Sequence, residues 1–313
     1  MRIRHAIATA VAVLALPAPA VARQIAEPAR STTLAARGAV LAYSDWDEAI
    51  GAYRLRVAVG ERAPADVAVA PRSVPFDVRV GRVGGRAVLV YSRCAQEPPA
   101  LGDMVEPEPY WWSARDCTLY TAGLDGHEHA IRGAGPGVLP AVSGATLAFV
   151  RFAGRTRATV IVRRFDRPGP PARRISVGRR TPVELDLLGH RLAVTSRVQG
   201  SYEVEDSVLS IIDTRTGRGR SIHRLHGGGL SAHYIVGTSL LPRGAVAWAE
   251  ICGGDPSGCP GNERIDHWTP IAGLRESQSP GIQAFAETPF ATWRLEGCSA
   301  NVDDPSPCVL SRS

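Results

Sequence analysis

Gly144-Ala145-Thr146-Leu147-Ala148-Phe149 is one version of a phrase that recurs six times along the 313-residue chain. The other copies centre on Leu41-Ala42-Tyr43, Leu89-Val90-Tyr91, Leu192-Ala193-Val194, Val246-Ala247-Trp248 and Phe290-Ala291-Thr292. A large apolar residue always leads, and a glycine (Gly38, Gly85, Gly144, Gly189 or Gly244) precedes five of the six. The leading residues are 48, 58, 45, 54 and 44 positions apart. Repeats of this period belong to radial or solenoid architectures, in which each unit buries its apolar faces against its neighbours.

Each unit reads as four short strands, a to d, with the phrase on strand b. In the second unit, Pro75–Val80, Ala87–Ser92, Cys117–Ala122 and His127–Arg132 alternate, with Leu124-Asp125-Gly126 as the c–d turn. The third unit repeats this over Leu139–Val142, Thr146–Phe152, Ala158–Phe165 and Ala172–Val177. The fourth does so over Val183–Leu188, Leu192–Arg197, Ser207–Asp213 and Gly219–Leu225. Past the N-terminal apolar stretch, nothing sustains a 3.6-residue apolar period over ten residues. Four antiparallel strands in each of six units make an all-β, six-bladed β-propeller. After Phe290 only 23 residues remain, enough for two strands. The segment Gln24–Ala36 is therefore expected to supply the outer strand of blade six and the inner strand of blade one.

Val142-Ser143-Gly144-Ala145-Thr146-Leu147-Ala148-Phe149 resembles the repeat phrase of TolB-like, or WD40-like, six-bladed propellers, with Asp77–Tyr91 a looser copy. The Trp-Ser-Pro-Asp-Gly core of that family is missing throughout. The resemblance covers most of residues 38–295 and implies the fold; propellers host many functions, so it implies no single activity.

Residues 1–22 read as a signal peptide. Arg2 and Arg4 precede the apolar run Ala6–Pro17, and Ala20-Val21-Ala22 is a small-x-small cleavage site. The expected organisation is a signal over 1–22 and one propeller over 23–313, secreted to the extracellular or envelope space. No later segment suits a transmembrane helix. Six cysteines fit an oxidising compartment, and none forms a CxxC or zinc-finger spacing. The expected disulfides are Cys94–Cys117, Cys252–Cys259 and Cys298–Cys308, each closing a b–c connection, so that all three lie on one face.

Composition excludes several chemistries. The 36 basic residues are all arginine, and without lysine there is no Walker A loop and no Schiff-base enzyme. No Gly-x-Ser-x-Gly elbow is present. His127-Glu128-His129 puts two imidazoles on one strand face without a third ligand, and the only asparagines are Asn262 and Asn301. We therefore expect no catalytic residue, metal or cofactor.

Two constellations remain as binding candidates. The Cys94–Cys117 loop carries Tyr110-Trp111-Trp112, and Trp46 and Tyr202 occupy equivalent loops on the same face. These aromatics suit a sugar or peptide platform. Between Arg151 and Arg180 there are ten arginines and one acid, Asp166. Arg163, Arg164, Arg173 and Arg174 are the anion-binding candidates there. Nucleic acid is not expected, because this segment lacks interleaved aromatics. The reading is a monomeric binding or scaffolding module for an envelope protein, peptide or glycan. The competing reading is an enzyme of the central channel (a lyase, lactonase or hydrolase).

Overall fold

In a computed structural model that describes residues 22–30, 32–99, 109–164, 172–199, 205–227, 231–254, 263–297 and 308–313, the repeats form six four-stranded antiparallel sheets. The first strand, β1 (Arg23–Ala26), belongs to the last blade. Blade one is β2 (Leu34–Arg37), β3 (Val40–Asp47), β4 (Ala52–Val59) and β5 (Ala65–Asp66). Blade two is β6 (Arg79–Val83), β7 (Arg86–Gln96), β8 (Arg115–Ala122) and β9 (Glu128–Ala130). Blade three is β10 (Val138–Ser143), β11 (Thr146–Phe152), β12 (Ala158–Arg164) and β13 (Arg173–Ser176). Blade four is β14 (Thr181–Leu188), β15 (Arg191–Gln199), β16 (Glu205–Asp213) and β17 (Gly219–Leu225). Blade five is β18 (Ser231–Leu240), β19 (Val246–Gly254), β20 (Arg264–Thr269) and β21 (Gly273–Gln278). Blade six is β22 (Ile282–Thr288), β23 (Ala291–Glu296) and β24 (Val309–Arg312), with β1 outermost.

The inner strands touch in the order β2, β6, β10, β14, β18, β22 and back to β2, which closes the ring. Closure is as the sequence implied: β1 pairs antiparallel with β24, and β2 lines the channel eight residues later. No helix of the described residues is long and apolar enough to cross a membrane.

The phrase forms the b strand of each blade because both of its faces are buried between neighbouring blades. Leu41, Leu89, Leu147, Leu192 and Val246 are all buried, as are Ala42, Val90, Ala148, Ala193 and Ala247 on the opposite face. The preceding turns need a left-handed residue, and Gly38, Gly144 and Gly189 supply it at φ of 64°, 57° and 62°. At Gly237 the reason for glycine is proximity, since a Cβ there would sit 2.0 Å from the Phe285 carbonyl oxygen of the next inner strand.

The sixth copy is corrected by two positions. Phe290 lies in the a–b turn and is 73% exposed, and Thr288 pairs with Ala291 as Arg37 pairs with Val40 in blade one. Ala291 and Trp293 thus take the buried positions of Val40 and Ala42, on the face toward the next blade, and a two-residue shift keeps each side chain on its face.

Of the disulfides, Cys94–Cys117 joins directly paired residues of β7 and β8. Cys252 and Cys308 are also disulfide-bonded, while Cys259 and Cys298 lie outside the described residues. Residues 1–21, covering nearly all of the expected signal peptide, lie outside them too.

Candidate functional site

The inner strands carry more charge than their apolar pattern suggests. Three acids on or beside them accept hydrogen bonds from backbone N–H groups of a neighbouring blade. Asp77 accepts from Leu139 N at 2.7 Å, Glu184 from Thr238 N at 3.2 Å, and Asp186 from Leu240 N at 2.7 Å. Two arginines then reach across the channel to these acids. The Arg37 guanidinium of blade one donates to Asp186 at 2.6 Å and to the Leu187 carbonyl at 3.0 Å. Arg79 of blade two pairs with Glu184 and donates to the Leu185 carbonyl at 2.6 Å. Burial pushes the Glu184 carboxyl up, and Arg79 opposes that rise. The polar groups of the channel are thus spent on each other and on the backbone. Arg37 and Arg79 are partners that the strand pattern did not single out, because their acids lie two and three blades away around the ring.

The mouth of the channel is lined by Asp77, Arg79, Glu184, Pro109 and Trp111, among others, and offers about 30 Å³. Ligand pockets measure roughly 300–1,000 Å³. Space there suffices for little more than water.

Trp111 reaches this mouth from the disulfide-anchored loop and is buried at 4% exposure. It lies over Arg72, whose guanidinium is 5.2 Å from the rings of both Trp111 and Phe76. Arg72 is itself buried, donates to the Ser92 carbonyl at 2.8 Å and pairs with Glu97 on the other limb of the loop. Three attachments therefore pin the loop: the Cys94–Cys117 bond, the Arg72–Glu97 pair and the Trp111 ring. Trp111–Ser113 form a single 3-10 turn, closed by Ser113 N donating to the Tyr110 carbonyl at 2.8 Å. That turn points successive rings in different directions. Tyr110 and Trp112 stay half-buried with their rings 6.0 Å apart, and Arg155 of blade three lies 6.0 Å from the Trp112 ring.

The other aromatic candidates are not brought to this pair. Arg30 lies 3.9 Å over the Trp46 ring, and Tyr53 meets that ring edge-on at 5.0 Å, so Trp46 is already covered. Tyr202 lies outside the described residues. On β9, Glu128 accepts from the Tyr91 hydroxyl at 2.8 Å and pairs with Arg93 at 2.5 Å, while His127 and His129 are exposed.

Among the described residues one cluster does have metal-ligand proximity, and sequence spacing did not reveal it: His223, Glu250 and Asp266, at the seam of blades four and five. Arg264 occupies it, 2.9 Å from Glu250 and 3.3 Å from Asp266, and His223 is 2.6 Å from Glu250. Burial and the neighbouring Glu250 push the Asp266 carboxyl up to about 8. His223 and Arg264 outweigh burial at Glu250 and hold it at about 2.

Similar folds occur among solved structures. TolB from Acinetobacter baumannii matches at 12% identity and a TM-score of 0.50, over 88% of this chain and 64% of that one. A puromycin-hydrolyzing peptidase of Mycobacterium tuberculosis matches at 14% identity and a TM-score of 0.49, over 92% of this chain and 53% of that one. An oligogalacturonate lyase in complex with manganese matches at 13% identity and 0.48, over 90% and 76%. No protein-family model and no curated protein sequence matches the chain. The likeness is one of fold. The chain spans less than two thirds of that TolB and about half of that peptidase.

Proposed function

We propose that the protein is a binding or scaffolding module of the cell envelope, exported by residues 1–22, whose disulfide-anchored face holds a glycan or peptide. One observation carries the reading: Tyr110 and Trp112 stand partly open, 6.0 Å apart, on a loop that its disulfide, Arg72 and Trp111 already fix. A preformed aromatic pair lowers the ordering cost of binding, and its amphipathic rings suit sugar faces and peptide side chains. The alternative, catalysis in the channel, has less support, because its carboxylates are engaged by Arg37 and Arg79 and its mouth offers about 30 Å³.

The test is a glycan and peptide array, together with an envelope-extract pull-down, using the parent, Tyr110→Ala and Trp112→Ala. Weakened capture by either variant at an unchanged melting temperature supports the reading. Capture by both variants equal to the parent overturns it.

A further inference from the structure

The basic segment that ends blade three does not form a single patch. Side chains alternate across a strand, and Val162 pairs with Arg173 while Ile161 pairs with Arg174. Ile161 packs with Leu119 and Ile131 of blade two, whereas Val162 packs with Leu192 and Ile212 of blade four. Arg163 and Arg174 therefore face blade two. There Arg163 reaches the Gly133 carbonyl, and both arginines, after burial, help pull Arg151 below its ordinary range. Arg164 and Arg173 lie on the blade-four side.

On that side the two blades part into a groove of about 490 Å³. Its floor is apolar (Ile175, Val177, Val194 and Ile212), and its walls carry Arg179, Arg180, Ser196, Ser210 and Ser221. Arg180 Nη1 donates to Ser210 Oγ at 2.9 Å and to Ser221 Oγ at 3.3 Å, which holds the guanidinium in the wall. Toward the other end the Arg173 guanidinium lies against Gly217 in the c–d turn of blade four. No acid and no aromatic ring lines the groove. Arg173, Arg179 and Arg180 form no ion pair with a carboxylate among the described residues. These three leave positive charge without a carboxylate partner among the described residues, beside a cavity of ligand size.

We propose that this groove binds a linear anionic polysaccharide. Gly217, at Arg173, lies in the c–d turn of blade four, and Ser221, at Arg180, lies on β17, so the cationic groups meet the groove at separate places. A short run of charged sugars presents an anionic group to each of them, whereas a single small anion carries one. Guanidinium forks match sulfate and carboxylate groups, and the serine hydroxyls both donate to and accept from sugar hydroxyls. A nucleic acid would need stacking rings that the groove lacks. Neither Tyr110 nor Trp112 lines the groove, so the proposal does not rest on the envelope-binding reading.

The experiment is affinity chromatography and titration at low salt. Heparin serves as the sulfated probe, polygalacturonate as the carboxylated one, and neutral dextran and polyphosphate as the contrasts. The variants are Arg180→Ala, the exposed Arg179→Glu, and the control, the exposed Arg86→Ala at the start of β7 in blade two. The expected result is binding of heparin, polygalacturonate or both that falls with salt, about tenfold weaker in Arg180→Ala and Arg179→Glu and unchanged in Arg86→Ala. A stronger response to one probe identifies the anionic group. Binding unchanged in Arg179→Glu, or absent for both polysaccharides, overturns the proposal. Equal binding of polyphosphate overturns the polysaccharide assignment. Trp112→Ala should bind heparin like the parent, so failure of the aromatic platform and failure of this groove are separately visible.

Discussion

Arg37 of blade one lies 2.6 Å from Asp186 of blade four, directly across the ring. Both side chains are largely removed from water, and Asp186 also accepts from the Leu240 and Leu187 amides. The pair couples opposite blades through a channel that many propellers leave open to ligands. Charges buried this way are costly to separate, because either partner left alone keeps its desolvation penalty without its counterion.

Asp186→Ala should therefore lose about 3–5 kcal/mol of stability, the cost of orphaning a buried charge together with two backbone donors. Arg37→Ala should lose less, since Asp186 retains its amide donors. Chemical denaturation of the two variants checks this order. Equal and negligible losses would show that the bridge does not hold the ring.

Trp111 and Trp112 should separate cleanly in thermal melts. Trp111→Ala removes a buried ring and is expected to cost about 3–5 kcal/mol. Trp112→Ala should leave the melting temperature nearly unchanged, because its ring is only half-buried. Strong destabilisation by both would make the pair wholly structural.

Deleting residues 22–30 removes the outer strand of blade six and exposes the edge of β24. The truncated protein should be insoluble or melt well below the parent. An unchanged melt would show that ring closure does not depend on β1.

Reduction, or the double change Cys94→Ser with Cys117→Ser, opens a loop whose ends are 23 residues apart, worth about 2–4 kcal/mol in the chain-entropy model. Peptide mapping without reduction should recover 94–117, and we expect 252–259 and 298–308 beside it. A mixed pair such as 252–298 would contradict the common b–c placement.

The seam of blades four and five should impose a pH dependence. Asp266 is pushed up to about 8 by burial and Glu250, with Arg264 opposing. Between about pH 4 and pH 8 the folded chain thus holds a proton that the unfolded chain releases, and stability falls as pH rises through that window. Glu250, held at about 2, acts in the other direction: its contribution is lost as pH falls below about 4. His223, Arg264 and Glu276 are the titratable and charged groups facing the two acids. Melting curves of the parent and Asp266→Asn from pH 4 to 9 check this. The parent should lose stability relative to the variant as pH rises from about 4 to about 8, and parallel profiles would refute the assignment.

The blades were legible because each is built from local alternation, and the fourth-blade strand Gly219–Leu225 matches its expected bounds residue for residue. Ring closure was legible as well, since six inner strands and a shortened last unit leave the N-terminal segment one place to go. At Phe290 the local pattern opened the strand two residues early, inside the a–b turn, because Thr288 pairs with Ala291 as Arg37 does with Val40. Packing between blades six and one is what buries Trp293.

What the sequence alone determined was the architecture, the face carrying the stapled loop and the concentration of arginine around blade three. The tertiary structure alone decided how those charges are used. Arg37 and Asp186 are 149 residues apart, and Arg180, just before β14, meets Ser210 and Ser221 on the outer strands of blade four. A linear pattern records which face a side chain takes on its own strand, but an ion pair or a groove depends on which blade the ring sets opposite it.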